Sequence, residues 1–354
     1  MKKIEKTAEM LLMHFKAYPK LEIQDIFKFL YQSSFGCEHM CGQYDRVFSL
    51  LKEEQNADLP TKSPLIEELD GDYCRISTKI FKKGLATNTL AKLFMLSAKK
   101  EENGLNLLKE KLDIAKSLVL SGQLPLNSED FLKQLSVWES KGFSPIHHSA
   151  VFKENYHPSY RVVSKTLLPF LPLFLEIDTR LQSDRLILAI EGGSASGKTT
   201  LSALLEEIYN CTVFHMDDFF LQPEQRTEKR LSTPGGNIDY ERFLKEILIP
   251  LGENEAITYC PFNCSSMSLE PPITLKPERL CVIEGAYSMH PALKSNYDLS
   301  VFLDISPSLQ RSRILNRNTP AFAKRFFEEW IPLEELYFKE LNVKNSCDLL
   351  IEIN

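Results

Sequence analysis

Two domains are predicted from the sequence: a mainly helical one over residues 1–180, then an α/β domain over 181–354 built as a doubly wound parallel sheet with helices on both faces. Three observations predict this. The apolar run Leu186–Ile190 leads into a glycine loop and a lysine. Beyond it, short apolar runs alternate with stretches of helical spacing, the pattern of a parallel sheet. The first half instead repeats its apolar residues at helical intervals.

In chain order, Ile4, Ala8, Leu11, Leu12 and Phe15 mark one amphipathic face and Ile23, Ile26, Phe27 and Leu30 another, with Pro19 between them as a break. Further helices are expected over Leu90–Glu101 and Leu105–Leu120. Asn127 is placed to cap a helix carrying Phe131, Leu132, Leu135 and Trp138. Three polar clusters stand out. Cys37-Glu38-His39-Met40-Cys41 fits no common zinc spacing and reads as buried thiols beside one histidine. His147 and His148, with His157 and Arg161, could bind a ligand or serve the structure. Arg75, in the plausible strand YCRIST, reads as half of a salt bridge. A linker is expected near residues 178–184.

Composition narrows the function classes. The 354 residues suffice for two cores. Hydrophobic content of 43% and charged content of 25% are those of a globular protein. A net charge of -6 and a pI near 5.8 argue against a nucleic-acid partner, which requires a basic face. The longest apolar run, Leu167–Leu175, is too short to span a bilayer and contains Pro169 and Pro172. Glu5 and Glu9 interrupt the stretch that an export signal would need, so the eight scattered cysteines read as free thiols in a cytoplasmic protein.

Gly192–Thr199 fits G-x-x-x-x-G-K-[ST], the phosphate-cradling P-loop between a strand and a helix. Gly192, Gly193 and Gly197 are expected to take positive φ angles, so that the amides of Gly192, Gly193, Ser194, Ala195, Ser196, Gly197, Lys198, Thr199 and Thr200 face a polyphosphate. Lys198 would meet the β- and γ-phosphates of ATP, and the Thr199 hydroxyl would hold Mg²⁺. Leu201, Leu204, Leu205 and Ile208 supply the following helix.

The strand Thr212–Phe220 ends in Asp217 and Asp218, at the sheet end that faces a ligand crevice. A carboxylate there can accept a hydroxyl proton and aim the oxygen at the γ-phosphorus; either one could also be a cap. Asp239 and Tyr240 open a helix, with Asp239 either capping it or holding a substrate hydroxyl. Tyr259–Phe262 and the polar run Asn263–Ser268 suggest a hairpin that lays an aromatic wall beside a small ligand. The buried strand Leu280–Glu284 puts Glu284 where a carboxylate would serve Mg²⁺, with Asp304 as its competitor. Arg311, Arg313 and Arg317 follow at helical intervals and could neutralise a transferring phosphoryl group. Cys347–Ile353 reads as a last buried strand.

Taken together, these segments resemble the uridine kinase and phosphoribulokinase-like group of P-loop kinases over roughly residues 185–354. GGSASGKTT resembles the loop of that group, MDDFF its D-x-F-[YFH] segment, GNIDYERF its N-F-D element and VIEGAY its V-[FI]-E-G strand end. The resemblance implies that Asp217 is the catalytic base, Asp239 the substrate-hydroxyl carboxylate, Tyr259 a pocket aromatic and Glu284 the metal-side acid. Tyr240 and Phe262 would complete the acceptor pocket, and Lys198, Arg313 and Arg317 would act on the phosphates. Asp218 departs from the group, which carries Ser or Gly there.

The expected activity is transfer of the γ-phosphoryl group of ATP, with Mg²⁺, to a hydroxyl of a nucleoside-like or other polyol metabolite. Neither nucleic acid nor membrane is expected as a partner, and homo-oligomerisation stays open. A second reading makes the α/β half an ATP switch and the helical half a partner-binding module. A third gives the helical half an enzymatic site of its own at His39 or at His147 and His148.

Overall fold

The computed structural model describes residues 2–37, 39, 42–57, 61–182, 185–253 and 255–353. They divide into two compact units, Met1–Leu171 and Pro172–Asn354. The helix Leu171–Arg180, which the sequence reading gave to the first domain, groups with the second unit. Ser183 and Asp184 of the expected linker lie outside the described residues.

In the first unit the expected helices form as Lys2–Ala17, Ile23–Phe35, Thr87–Leu96, Gly104–Leu120 and Ser128–Ser140. The Asn127 side chain accepts from the Asp130 amide at 2.9 Å, satisfying one of the orphan donors of a helix start. Asn127→Ala is expected to cost about 1 kcal/mol, a lowered denaturation midpoint at constant m-value being the measurement.

The helices surround a three-stranded antiparallel sheet that periodicity alone does not announce: β1 (Ile66–Glu68), β2 (Tyr73–Ser77) and β3 (Tyr160–Ser164), in that order. Arg75 on β2 is buried. Its guanidinium donates to Gln32 at 2.7 and 3.0 Å and to Glu67 at 3.0 Å, and it lies 4.6 Å from the Tyr160 ring centroid. The salt-bridge reading of Arg75 holds, with Gln32 and Tyr160 added.

His148 is buried between Asp25, at 2.8 Å, and the Tyr160 hydroxyl, at 2.7 Å, and burial pushes its imidazole down to about 3. Ser149 donates to the same Asp25 and caps the helix Ala150–Tyr156. A neutral, doubly bonded histidine of this kind fixes three segments together, because a buried polar group has to be paired. His147 is exposed beside it. Cys37 is buried and bonds the Phe94 carbonyl, and His39 stands edge-on to Tyr31. Glu38, Met40 and Cys41 lie outside the described residues. The seven described cysteines are all free thiols.

The second unit is a five-stranded parallel sheet of order β12-β11-β4-β10-β5. Its strands are β4 (Leu186–Gly192), β5 (Thr212–His215), β10 (Leu280–Glu284), β11 (Leu299–Ile305) and β12 (Leu349–Ile353). Between β5 and β10 come four short strands: β6 (Ile257–Tyr259) pairs β9 (Ile273–Leu275), and β7 (Phe262–Asn263) pairs β8 (Ser268–Leu269), so the polar run does close a hairpin. β4 and β10 are buried along their whole length, which is why they read as continuous apolar runs. Ile187, Ala189, Phe214 and Ile283 pack with Phe243, Ile247, Leu251 and Tyr337. The helix Lys198–Tyr209 lies against β4, β5 and β10.

One expectation is corrected. β12 is an edge strand with only Ile351 buried, since it pairs with β11 alone. Among the described residues, no helix is long and apolar enough to cross a membrane.

Candidate functional site

The site is built where β4, β5 and β10 end, because parallel strands bring their carboxyl ends to one edge of the sheet. β4 delivers the loop Gly193–Gly197, and the helix from Lys198 carries its first amides there without a side-chain cap. Gly192 and Gly197 take φ of 149° and 103°. A Cβ on Gly192 would stand 2.7 Å from the Leu303 carbonyl oxygen, so only glycine fits between β4 and β11. Gly193 does not have the expected positive φ. Ala195 has it instead, at 60°.

Within the loop, the Lys198 ammonium donates to the carbonyls of Gly192, at 2.7 Å, and Gly193, at 3.0 Å. The Ser196 amide closes a turn onto Gly193. Thr200, in the first turn of the helix, is exposed. The helix Pro307–Arg317 braces the loop from outside. Gln310 donates to the Ser194 carbonyl at 2.9 Å, and Arg313 to those of Ala195 and Ser196 at 3.0 and 3.2 Å. Arg317 does not join it: the side chain is exposed and lies over the Phe326 ring. Arg311 lies over Phe327 in the same way, and Lys324 and Arg325 pair with Glu328 and Glu329.

Beneath the loop, Glu191 is fully buried. It accepts from the amides of Gly192, at 2.9 Å, and Met289, at 3.0 Å, and from the Tyr337 hydroxyl at 3.1 Å. Burial outweighs these donors and pushes its carboxyl up to about 7. An acid whose folded pKa is raised contributes stability that is present below its unfolded pKa, near 4.5, and lost as pH rises through about 7. Thermal melts of wild type and Glu191→Gln across pH 4 to 8 are expected to show the wild type losing ground steadily over that window, by an amount on the order of 1–3 kcal/mol.

At the end of β10, the Glu284 carboxylate accepts from the Thr199 hydroxyl at 3.2 Å and meets His215 Nδ1 at 2.6 Å. That bond raises the His215 imidazole above the ordinary histidine range. Asp304, the competitor, pairs with Lys344 instead. Thr199 and Glu284 are hard-oxygen donors of the kind Mg²⁺ takes alongside nucleotide phosphates, so the donor set fits the ion.

Asp217 follows β5 on a short 3₁₀ turn, Met216–Phe219. The residue is exposed to solvent. Desolvation by the nearby protein raises its carboxyl, while the charge of Lys198 pulls it back and that of Glu284 raises it again. Asp217 therefore shares one electrostatic neighbourhood with the loop lysine and the β10 acid. Its neighbour Asp218 is tied up: it accepts from the Tyr259 hydroxyl at 3.2 Å, while its carbonyl accepts from Arg242 at 2.7 Å.

The expected acceptor residues mostly serve the wall. Asp239 is buried and uses both oxygens internally, accepting from the Arg242 amide at 3.0 Å and from Gln225 at 2.8 Å, so the capping alternative is the one displayed. Tyr240 stacks on His290 with ring centroids 4.0 Å apart and accepts from Arg230. Tyr259 stacks on Phe219, and Phe262 is buried on β7.

Sequence reasoning missed four residues here: Glu191, His215, Gln310 and Glu334. Glu334 accepts from both the Ser194 amide, at 2.8 Å, and the Ser194 hydroxyl, at 2.6 Å. His215, two residues before Asp217, is the one that a systematic reading of strand ends could have found.

Residues 187–321 match the family model of the phosphoribulokinase / uridine kinase family, which leaves residues 1–186 and 322–354 outside the match. Three solved structures are similar. One is a possible uridine kinase from Bacillus stearothermophilus, at 18% identity and TM-score 0.37, covering 50% of this chain and 99% of that one. The second is a candidate fructose transport system kinase from Silicibacter sp. TM1040, at 22% identity and TM-score 0.39, covering 48% and 90%. The third is a shikimate kinase from Aquifex aeolicus, at 18% identity and TM-score 0.25, covering 47% and 85%. A search of curated proteins returns no match. Over those residues the second unit is similar to the kinases of that family, and the matched stretch contains the loop Gly192–Thr199.

Proposed function

We propose, with that family match as the premise, that the second unit transfers the γ-phosphoryl group of ATP to a hydroxyl of a nucleoside-like or other polyol metabolite. The observation that carries this reading is the placement of Lys198 after β4, Asp217 after β5 and Glu284 at the end of β10, three neighbouring parallel strands that end at one edge of the sheet, where the charges of Lys198 and Glu284 both bear on the Asp217 carboxyl.

In this reading the acceptor hydroxyl lies against Asp217. As its oxygen bonds to the γ-phosphorus, its proton passes to the Asp217 carboxylate. The bond from that phosphorus to the β–γ bridging oxygen breaks, and ADP leaves with the electron pair. The raised carboxyl pKa makes Asp217 a stronger base than a free aspartate, at the cost of needing a higher pH to ionise. Lys198 turns from the loop carbonyls to the phosphates, and the first amides of its helix face them with the positive end of the helix dipole. Arg313 and Gln310 hold the loop in shape from behind. Thr199 and Glu284 would hold Mg²⁺, which when bound would supply charge neutralisation to the phosphates. Tyr240, Tyr259 and Phe262 form the acceptor wall, and Asp239 fixes the helix that presents Tyr240.

Incubation of the full chain with labelled ATP, Mg²⁺ and a metabolite pool tests the proposal. A phosphorylated small molecule is the expected product. Release of ADP and phosphate alone, or no turnover with ATP still bound, would favour the nucleotide-switch reading instead.

A further inference from the structure

The carboxylate of Glu334 grips the phosphate loop as a phosphate oxygen would. Both of its oxygens are engaged with Ser194, one on the backbone amide and one on the hydroxyl, and the side chain is 5% exposed. The Gly193 backbone runs close beside this contact: a Cβ there would stand 3.0 Å from the Gln310 amide nitrogen and 3.5 Å, an ordinary contact distance, from Glu334 Oε2.

The helix Ile331–Glu340 that carries Glu334 is anchored close by. One turn along, Tyr337 is fully buried and bonds Glu191 under the same loop. The turn before it, Phe326–Trp330, is π-helical, an irregularity that frequently marks functional sites. With Tyr337 holding the helix, Glu334 can release Ser194 by changing its own rotamer while the helix stays in place.

A buried carboxylate and a triphosphate tail cannot both hold one amide, and they repel each other in a poorly solvated space. Burial raises the Glu334 carboxyl, the charge of Lys198 and the Ser194 donors favour its ionised form, and the charge of Asp217 opposes it. We propose that Glu334 is an internal competitor for the polyphosphate at Ser194, a built-in plug that ATP has to displace before the loop can close on it. The inference rests on the nucleotide reading above and adds to it a residue that sets ATP affinity.

Equilibrium binding of ATP and of AMP, which lacks the β- and γ-phosphates, to the full-length wild type, Glu334→Gln and Glu334→Ala tests it. The glutamine keeps the shape and removes the charge, so it guards against a loss of fold in the alanine variant, and thermal melts report on both. ATP is expected to bind both variants tighter, by a factor on the order of ten to a hundred, the range of one charged hydrogen bond, with AMP little changed. In turnover, KM for ATP falls while kcat stays within a few-fold, a split that a merely structural residue would not give. Unchanged or weaker ATP binding by both variants, with the wild type still binding ATP, would overturn the plug and leave the kinase reading standing. If neither the wild type nor the variants bound ATP, the nucleotide reading would fall, and the plug with it.

Discussion

Asp217→Asn is expected to bind ATP as the wild type does and to transfer phosphate slower by a factor on the order of 10² to 10⁴, the usual range for loss of a general base. The substitution nearly keeps the volume while removing the negative charge and, with it, the ability to take a proton. Nothing else in the site substitutes for it. Asp218 is bonded to Tyr259, Glu284 to Thr199 and His215, and Asp239 is consumed as a cap. Paired measurements check this: ATP affinity by calorimetry and kcat by product formation. Normal turnover would remove Asp217 from the base position. For the wild type, kcat is expected to fall on the acid side as the Asp217 carboxylate takes up a proton. Because desolvation raises that carboxyl, the fall begins at a higher pH than for a free aspartate, and the Asn variant lacks it.

Lys198→Ala is expected to lower kcat/KM by about 10² to 10³, comparable to the loss of one preorganised donor on a developing charge, and to weaken ATP binding as well. Both parameters move because the ammonium meets the same phosphate oxygens before and during transfer. Its position supports this: it lies against the carbonyls of Gly192 and Gly193, at the mouth of the loop, close enough to shift the titration of Asp217 and Glu334. Single-turnover kinetics beside equilibrium binding separate the two losses. A variant that kept ATP affinity while losing transfer would limit Lys198 to the transition state.

The loop and its strand were legible because their chemistry is local. Glycines at fixed intervals, a lysine and a threonine after a β-branched apolar run can be recognised without any partner. The same is true of Glu284 at the end of β10 and of the Asn127 cap, each defined by neighbours a few residues away. What could not be read are the partners that lie far along the chain. Glu334 reaches Ser194 from 140 residues away, and Tyr337 meets Glu191 from 146. In the first unit, Arg75 finds Gln32 at a separation of 43 residues and His148 finds Asp25 at 123. No periodicity encodes such meetings. The three arginines of the helix Pro307–Arg317 show the same limit, since one helix brings Arg313 to the loop and leaves Arg311 and Arg317 over phenylalanine rings.

The sequence by itself determined the parallel α/β architecture of the second unit, its phosphate loop and the carboxylates at its strand ends, because these follow from local backbone preference and from alternation of apolar runs. Only the tertiary structure decided which acids are spent. Asp239 and Asp218 are taken by neighbours, Asp304 by Lys344, and Glu334 by the loop, while Asp217 stays exposed. The physical reason is that a carboxylate's role is set by the donors and the burial it meets in space, and those come from segments the chain brings together only on folding.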